Sequence, residues 1–522
     1  MPNQPPRRIP FDPAAAQRSV FQALIEARRE FGGDRVALID GDDRALTYDE
    51  IIRASFALGS ALKPGTRAGE CVGIMLPTGA AAALTFFALS AFGRIPTMMN
   101  FTSGLTGMKS ALHTAQVKRL VTARRLIEVA GLQELVAGLD GIEIIYLEDV
   151  RNNLTLVNKL TAVAGKLMPA WLAARSDPSS PGVILFTSGS EGEPKGVALS
   201  HANLLANVAQ VRAHIGIYAD DVLFNPLPVF HCFGLTGGTL LPLIAGVKVV
   251  CHPSPRQPKE IVRRIQQYGA TVLLSTDTFI NQYARTSDGD ELHSLRMAVC
   301  GAERLRDETR AFVRRKSGIT LLEGYGVTES APVVAVNQIE TNRPGTVGQL
   351  MPGMEARVEP VEGIPGAGAL FLRGPNIMMG YIKPDAPGKI VPPPGGWHDT
   401  GDVVSIDEEG FIAIRGRLKR FAKIGGETVS LAVVENVAAA LWPENAHAAV
   451  AVPDGRKGEQ IVLLTDAKDA RREELIVWAR NHGVSELSVP RRVAIVDSIP
   501  LLATGKTDYV TVQKMAAKDC AS

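Results

Sequence analysis

The amino-acid sequence predicts an α/β protein built as a large N-terminal lobe of α/β layers with a small barrel-like annex, plus a small C-terminal α+β lobe. Three observations carry this. Short apolar runs rich in β-branched residues alternate with helical patterns through the N-terminal part of the chain. Glycine and proline rise from residue 343 onward, among short alternating strands. A chain of 522 residues also exceeds the roughly 250–300 at which a single core stops growing, so two or more lobes are needed, with a cleft as the default ligand site.

Taken in order, VFQALIEARREFG (20–32) reads as a helix, 36–40 as a strand and Gly41-Asp42 as a turn. Thr47 with Glu50 three residues later is a capping box that opens a second helix. The runs 71–76, 119–121, 144–147, 183–186, 247–251, 272–274 and 297–299 are short and apolar, separated by helical patterns. That is the pattern of a parallel sheet with crossover helices. Residues 78–92 form the most apolar long stretch, yet fall short of the roughly 20 residues that span a bilayer, so they read as a buried core helix. KLTAVAGKLMPAWLAAR (159–175) mixes Leu, Met and Trp171 with Lys159, Lys166 and Arg175. It reads either as a surface helical hairpin interrupted at Pro169 or as a helix lying in a membrane interface. From 343, RPGTVGQLMPGMEARVEP and GALFLRGPNIMMGY suggest an antiparallel or barrel-like annex. Proline and glycine peak at VPPPGG (391–396). The stretch of about a hundred residues after the basic run RGRLKR is sized for a lobe of its own, giving domains 1–416 and 417–522.

Bulk properties exclude several classes. A formal charge of +2 offers no basic face for nucleic acid. Cys71, Cys232, Cys251, Cys300 and Cys520 are odd in number and widely spaced, with no CxxC pair. This argues against a disulfide framework or structural zinc and for a reducing cytoplasm. The proline-broken start MPNQPPRRIPFDP lacks the apolar segment of a secretory signal.

The apolar run 183–186 leads straight into Thr187, Ser188, Gly189, Ser190, Glu191, Gly192, Glu193, Pro194, Lys195 and Gly196, with a helical segment starting near His201. Glycines let backbone N–H groups point inward, hydroxyls add donors and Lys195 adds a mobile positive charge; together they can cradle a polyphosphate. The spacing is not G-x-x-x-x-G-K-[ST], which disfavours a Walker-type NTPase. Taken alone, such a loop is commonly just a surface loop.

The string ILFTSGSEGEPKG (184–196) resembles the signature loop of the adenylate-forming enzymes: acyl- and aryl-CoA synthetases, peptide-synthetase adenylation domains and luciferases. LFNPLPVFHCFG (223–234), GAE (301–303), GYGVTES (324–330), GPNIMMGY (374–381), WHDTGD (397–402), RGRLKRFAKIGGE (415–427) and PLLATGK (500–506) follow in family-like order and spacing. The resemblance spans nearly the whole chain. It implies the adenylate-forming fold with a mobile C-terminal lobe, dependence on ATP and Mg²⁺, and activation of a carboxylic acid as its acyl-adenylate before transfer to a thiol. The nucleotide set it implies is Thr187, Ser188, Gly189, Ser190, Gly192, Lys195, Gly301, Ala302, Glu303, Gly324, Tyr325, Gly326, Thr328, Asp402, Arg417 and Lys506.

Each motif also has a physical reason. Glu329, beside the Thr328 hydroxyl, supplies the hard oxygen that Mg²⁺ takes while keeping most of its waters. Asp402 can accept both ribose hydroxyls and Arg417 can donate to the same sugar. Tyr325 offers a flat face for adenine; Gly301 and Ala302 are small enough for close approach. Thr187, Lys195, Glu329 and Lys506 form the catalytic set. In the family, the lysine matching Lys506 bridges the carboxylate and the α-phosphate, a cation that contributes on the order of 3–4 kcal/mol as charge builds in the transition state. Lys419 takes the hinge position. Gly425 and Gly426 would line a channel for the phosphopantetheine arm.

His231, Phe233 and Gly234 flank the acyl pocket. Apart from His231, no residue of 227–243 carries charge, which suits a fatty chain better than an amino acid whose ammonium needs an acidic partner. SPRQPKEIV, LEGYGVTESAPVVAVN, GTVGQLMPGM, GPNIMMGY and GRLKRFAKIGGETVSL look most like the acyl-acyl carrier protein synthetase half of bacterial bifunctional 2-acylglycerophosphoethanolamine acyltransferases. No histidine here has Asp five residues on, so this sequence departs from the bifunctional pattern and phospholipid reacylation is not expected of it alone. The expected acceptor is holo-acyl carrier protein, with coenzyme A as the alternative. Arg256, Lys259, Arg263 and Arg264, or Arg417, Lys419, Arg420 and Lys423, could steer an acidic carrier. The competing readings are a fatty-acyl- or aryl-CoA ligase and an inactive acyl-binding scaffold. The expected location is cytoplasmic, with peripheral contact at the inner membrane face if 159–175 is interfacial.

Overall fold

The computed structural model describes residues 10–188, 194–424, 427–454, 458–501 and 507–521. The chain divides into two compact units, Met1–Glu355 with Arg373–His398, and Ala356–Leu372 with Asp399–Ser522.

The first unit holds two sheets. One has nine strands in the order Gln349–Leu350, Val333–Val336, Thr320–Gly326, Met297–Cys300, Val272–Ser275, Val222–Asn225, Lys248–Cys251, Val36–Ile39 and Ala45–Thr47. From Thr320–Gly326 to Val36–Ile39 every pairing is parallel. The other has eight strands in the order Ala386–Val391, Gly380–Lys383, Pro194–Ser200, Pro181–Ser188, Ile95–Met98, Cys71–Ile74, Arg119–Thr122 and Glu143–Tyr146. It is parallel from Pro181–Ser188 onward and antiparallel at its other end. All seven runs expected as strands are strands, shared between two sheets rather than gathered in one. Both sheets and the helices Val20–Phe31, Ala80–Ala91 and His201–His214 contribute to a single buried core.

Local chemistry explains the helix ends. Ser19 caps Val20–Phe31, and the Thr47/Glu50 capping box forms as expected. Ala80–Ala91, buried on nearly every side, is the expected core helix. Its N-cap Gly79 has no side chain to offer, and the carboxylate of Asp40 accepts the Ala80 N–H instead, at 2.9 Å. Among the described residues no helix is long and apolar enough to cross a membrane. The described cysteines Cys71, Cys232, Cys251 and Cys300 are free.

The glycine- and proline-rich region does not close into a barrel. Gln349–Leu350 joins the nine-stranded sheet, while Gly380–Lys383 and Ala386–Val391 extend the eight-stranded one. The remaining strands, Glu355–Pro360, Gly368–Arg373, His398–Ile406 and Ile412–Arg417, make an open four-stranded sheet in the second unit. Beyond residue 417 the second unit continues as a five-stranded sheet, Glu427–Ser430, Phe421–Ile424, Gly458–Thr465, His447–Asp454 and Arg492–Ile495. One face packs on Leu431–Leu441 and Arg472–Asn481 through Val434, Val437 and Leu475; the other packs on Tyr509–Ala521 through Val450, Val462 and Val512.

Three fully buried amides tie the first unit together. Asn207 donates to the Val333 carbonyl at 2.8 Å and accepts the Val333 N–H at 3.0 Å. Gln210 donates to the Pro352 carbonyl and to Asn376 Oδ1, at 2.9 and 3.2 Å. Asn376 in turn donates to the Ser330 carbonyl at 2.7 Å. The helix His201–His214 thereby holds the turn Thr328–Ser330 in place. A buried polar network is stabilising only while every member is paired. Replacing Asn376 by Leu should strand one Gln210 N–H and the Ser330 carbonyl, lowering stability by about 2–3 kcal/mol. The urea midpoint should fall and amide exchange at Val333 should accelerate; an unchanged midpoint would contradict the network's role.

His201 gives a pH signature. Its Nδ1 accepts the Val20 N–H at 3.3 Å, and burial holds the imidazole down to about 4, below the roughly 6.5 of an unfolded chain. The folded protein therefore binds fewer protons. The contribution is whole above about pH 6.5 and is lost as pH falls toward 4. His201→Asn keeps an acceptor without titrating, so its unfolding midpoint should depend less on pH than the wild type's between about pH 6.5 and pH 5; equal slopes would exclude His201 as the source.

Candidate active site

The phosphate-loop candidate connects two paired antiparallel strands. Pro181–Ser188 and Pro194–Ser200 pair antiparallel with Thr187 opposite Lys195, and the helix His201–His214 follows the second strand. Val183, Leu185, Val197 and Leu199 pack into one core and Ile184 and Ala198 into another, so both faces of the paired strands are buried and a one-residue slip would exchange the two sets. Gly196 lies against Gly380–Lys383, where a Cβ would meet the Ile382 side chain at 3.3 Å. Thr187 and Lys195 are half-buried at the loop ends. The backbone of Ser188 is described; Gly189, Ser190 and Gly192 lie outside the described residues.

Beside this hairpin sits Glu329, in the 3-10 turn Thr328–Ser330. Its carbonyl accepts the Met378 N–H at 2.8 Å, and its Oε1 accepts the Tyr381 hydroxyl at 2.6 Å. Lys195 Nζ stands 5.8 Å from the centre of the Tyr381 ring. Lys195, Tyr381 and Glu329 thus form one connected group. Among the described residues no cluster of three or more His, Cys, Asp or Glu could hold a metal. The single carboxylate of Glu329 would suit Mg²⁺, which binds through one or two carboxylates plus substrate phosphates and keeps waters.

The carboxyl ends of the parallel strands deliver the other motifs, where open α/β sheets place their ligands. Gly301-Ala302-Glu303 follows Met297–Cys300, and Gly324-Tyr325-Gly326 ends Thr320–Gly326. A Cβ on Gly301 would stand 3.3 Å from the Phe233 ring and 3.6 Å from the Gly324 carbonyl, so these three positions adjoin. Ala302 has a left-handed φ of 70°. Tyr325, opposite Ala335, is half-buried. Gly326 has a packing reason, because a Cβ would lie 2.4 Å from the Pro332 carbonyl oxygen. Glu303 accepts the Thr278 N–H and hydroxyl at 3.1 and 2.9 Å, bracing the start of the helix Asp277–Thr286.

Phe233 opens the π-helix Phe233–Leu240, a wide turn of the kind found at functional sites. Asn225 and Thr239 both donate to the Gly234 carbonyl, at 3.1 Å each. Gly234 itself has no room for a Cβ, which would reach 2.3 Å from the Pro228 carbonyl oxygen. Its role is therefore to let this segment fold on itself, leaving Phe233 to face Gly301. His231 lies 4.8 Å, ring to ring, from Phe230. Buried Cys232 is pushed up to about 12 by desolvation, with the Glu329 charge adding to it, so it is an inert thiol rather than a nucleophile.

In the second unit Asp402 and Arg417 face each other across paired strands, with Arg417 Nε 2.9 Å from Asp402 Oδ1. The Asp402 side chain is 4% exposed and that of Arg417 60%. The expected ribose-binding pair is therefore one ion pair. Lys419 is exposed in the short turn Leu418–Arg420. Next to it, Arg420 Nη2 donates to Glu435 Oε1 at 2.8 Å and its guanidinium lies 3.5 Å from the Tyr509 ring centre. Gly425, Gly426 and Lys506 lie outside the described residues.

The two expected basic patches shrink. Arg264 is wholly buried, donating to the Cys251 carbonyl and paired with Asp43, and Arg263 is paired with Glu260. Arg420 and Arg417 are likewise engaged. Arg256, Lys259, Lys419 and Lys423 are exposed. Sequence reasoning gave no role to Tyr381, Asn207, Gln210 or Asn376. The available signal was a polar stripe, Asn203, Asn207, Gln210 and His214, along one face of an otherwise apolar helix.

Residues 25–382 match the AMP-binding enzyme family. Relatives include the long-chain-fatty-acid–CoA ligase of Salmonella typhimurium, 32% identical over 336 residues that cover 62% of this chain and 59% of that one. The chain thus matches about three fifths of the length of that ligase. The feruloyl-CoA synthase of Amycolatopsis sp is 29% identical over 490 residues, 88% of this chain and 92% of its own. Among solved structures, the anthranilate CoA ligase AuaEII in complex with anthranoyl-AMP shares the fold with a TM-score of 0.81 at 22% identity, covering 98% of this chain and 99% of its own. ATP-bound MatB from Rhodopseudomonas palustris does so with a TM-score of 0.81 at 22% identity, over 96% and 99%. With the hairpin loop, the Glu329 turn and the strand-end glycines all falling within the matched span, the chain belongs to the AMP-binding enzyme family.

Proposed function

We propose that this protein is an ATP-dependent acid–thiol ligase that activates a fatty acid as its acyl-adenylate and passes the acyl group to a phosphopantetheine thiol. The observation that supports it most is the connected group Lys195, Tyr381 and Glu329 at the mouth of the Thr187–Lys195 hairpin. In this reading the loop and Lys195 bind the phosphates, Asp402 and Arg417 take the ribose, and Tyr381 orients the Glu329 carboxylate. Glu329 would hold Mg²⁺, which when bound neutralises phosphate charge. A carboxylate oxygen of the acid forms a bond to the α-phosphorus while the bond to the bridging oxygen breaks and pyrophosphate departs with that electron pair. The thiolate then attacks the acyl carbon and AMP leaves.

The apolar segment 227–243, with Phe233 against Gly301, favours an alkyl chain, each buried CH₂ contributing about 0.8 kcal/mol. Coenzyme A is the first carrier in this reading. It is the one named by the relatives, and burial of Arg264 and pairing of Arg417 and Arg420 remove three of the cations that would steer an acidic protein. Acyl carrier protein is the second, supported by the resemblance of 416–431. Thioester formation with each carrier at matched concentration separates them: turnover with holo-acyl carrier protein alone would reverse the order, and turnover with neither would defeat the reading.

Lys506 and Lys419 are proposed as the adenylation lysine and the hinge. Lys506→Ala should lose about 10²–10³-fold in adenylate formation while keeping thiolysis of supplied acyl-adenylate; equal losses in both half-reactions would refute the assignment. Lys419→Pro should spare adenylate formation and block thioester formation; intact thioester turnover would remove the hinge.

A further inference from the structure

The helices Leu156–Leu167 and Pro169–Leu172 carry a surface that the proposed chemistry does not use. Leu156–Leu167 packs on Tyr48–Leu62 by one face only: a Cβ on Gly165 would meet the Phe56 ring at 2.2 Å, Ala162 is buried, and Asn158 donates to Ser60 Oγ at 2.9 Å. The opposite face is apolar and open. Leu156, Leu160, Val163 and Leu167 follow the helical spacing of one stripe, and Met168 and Trp171 prolong it. Leu167 is 72% exposed and Trp171 90%. A stripe of large apolar side chains held in water marks an interaction site.

Charge identifies the occupant. Between Asp149 and Asp177 the charged residues are Arg151, Lys159, Lys166 and Arg175, with no acidic one. On the helix Lys159 and Lys166 share one flank of the stripe, seven residues apart. Lys166 reaches Asp49 at 2.9 Å, while Lys159, Arg151 and Arg175 are exposed. An apolar face with a cationic flank and a tryptophan at its end is the make-up of a helix that lies in the headgroup region of an anionic bilayer. A second copy of the chain would bring like charges against like. We infer that the face formed by Leu156, Leu160, Val163, Leu167 and Trp171 docks on an anionic lipid bilayer surface.

The test uses the full chain and vesicles of phosphatidylglycerol and phosphatidylcholine (1:3), with phosphatidylcholine alone as control. Flotation should recover the protein with the anionic vesicles and far less with the control. Leu160→Asp with Leu167→Asp should lower partitioning at least about 10-fold, and Lys159→Glu about 5-fold or more. Trp171 emission should shift to the blue with anionic vesicles, a change absent from Trp171→Phe. These side chains are exposed, so unfolding midpoints should match the wild type's and separate loss of docking from loss of fold. Equal partitioning of the wild type and the double Leu variant, or none of the wild type, would overturn the inference. So would a concentration-dependent dimer, abolished by the same Leu substitutions and formed without vesicle binding.

Discussion

The Glu329 turn depends on three amides that water cannot reach. Asn207 and Gln210 sit on the helix that follows the phosphate hairpin, and Asn376 lies just before the strand that carries Tyr381. Through the Ser330 and Val333 backbone they join the C-terminal end of the turn to the element that leaves the hairpin. Each amide left unpaired in that interior would cost about 1–3 kcal/mol, so the arrangement with all of them paired is strongly preferred. The Tyr381 hydroxyl then meets a carboxylate whose backbone is already fixed by Met378.

Around that fixed point the first unit shares out its tasks by strand geometry. Parallel strands bring the 301–303 and 324–326 loops to their carboxyl ends, and the candidate phosphate loop lies between two antiparallel strands. The π-helix at Phe233 widens the chain beside Gly301 while Asn225 and Thr239 hold its first turn closed. Close to the same carboxylate, Cys232 stays protonated and inert through burial. The second unit keeps its own charges balanced: Asp402 is paired with Arg417, and Arg420 with Glu435 under Tyr509.

Much of this was legible in the sequence because it is local. The strands, the core helix and the Thr47/Glu50 box follow from patterns within a few residues, and the motif order reached the family. What was not legible depends on distance along the chain. The Val333 partner of Asn207 lies 126 residues away and the Gln210 partner of Asn376 lies 166 away. Alternating strands and helices show the order of elements but not which of two sheets a strand joins. Arg264 reads as one more surface cation until Asp43 and the Cys251 carbonyl close around it. The apolar and basic mixture of 159–175 fits a covered hairpin equally well; only the fold shows that Phe56 takes one face of the longer helix and leaves the other uncovered.

The claim that this turn and hairpin make an adenylating site is tested most directly by fatty-acid-dependent ATP–pyrophosphate exchange in the wild type and in Glu329→Gln. Exchange that requires added fatty acid and Mg²⁺, and that falls about 100-fold or more in Glu329→Gln at an unchanged unfolding midpoint, is the predicted result. A wild type that exchanges no pyrophosphate with any acid, or a Glu329→Gln enzyme that exchanges at the wild-type rate, would contradict it.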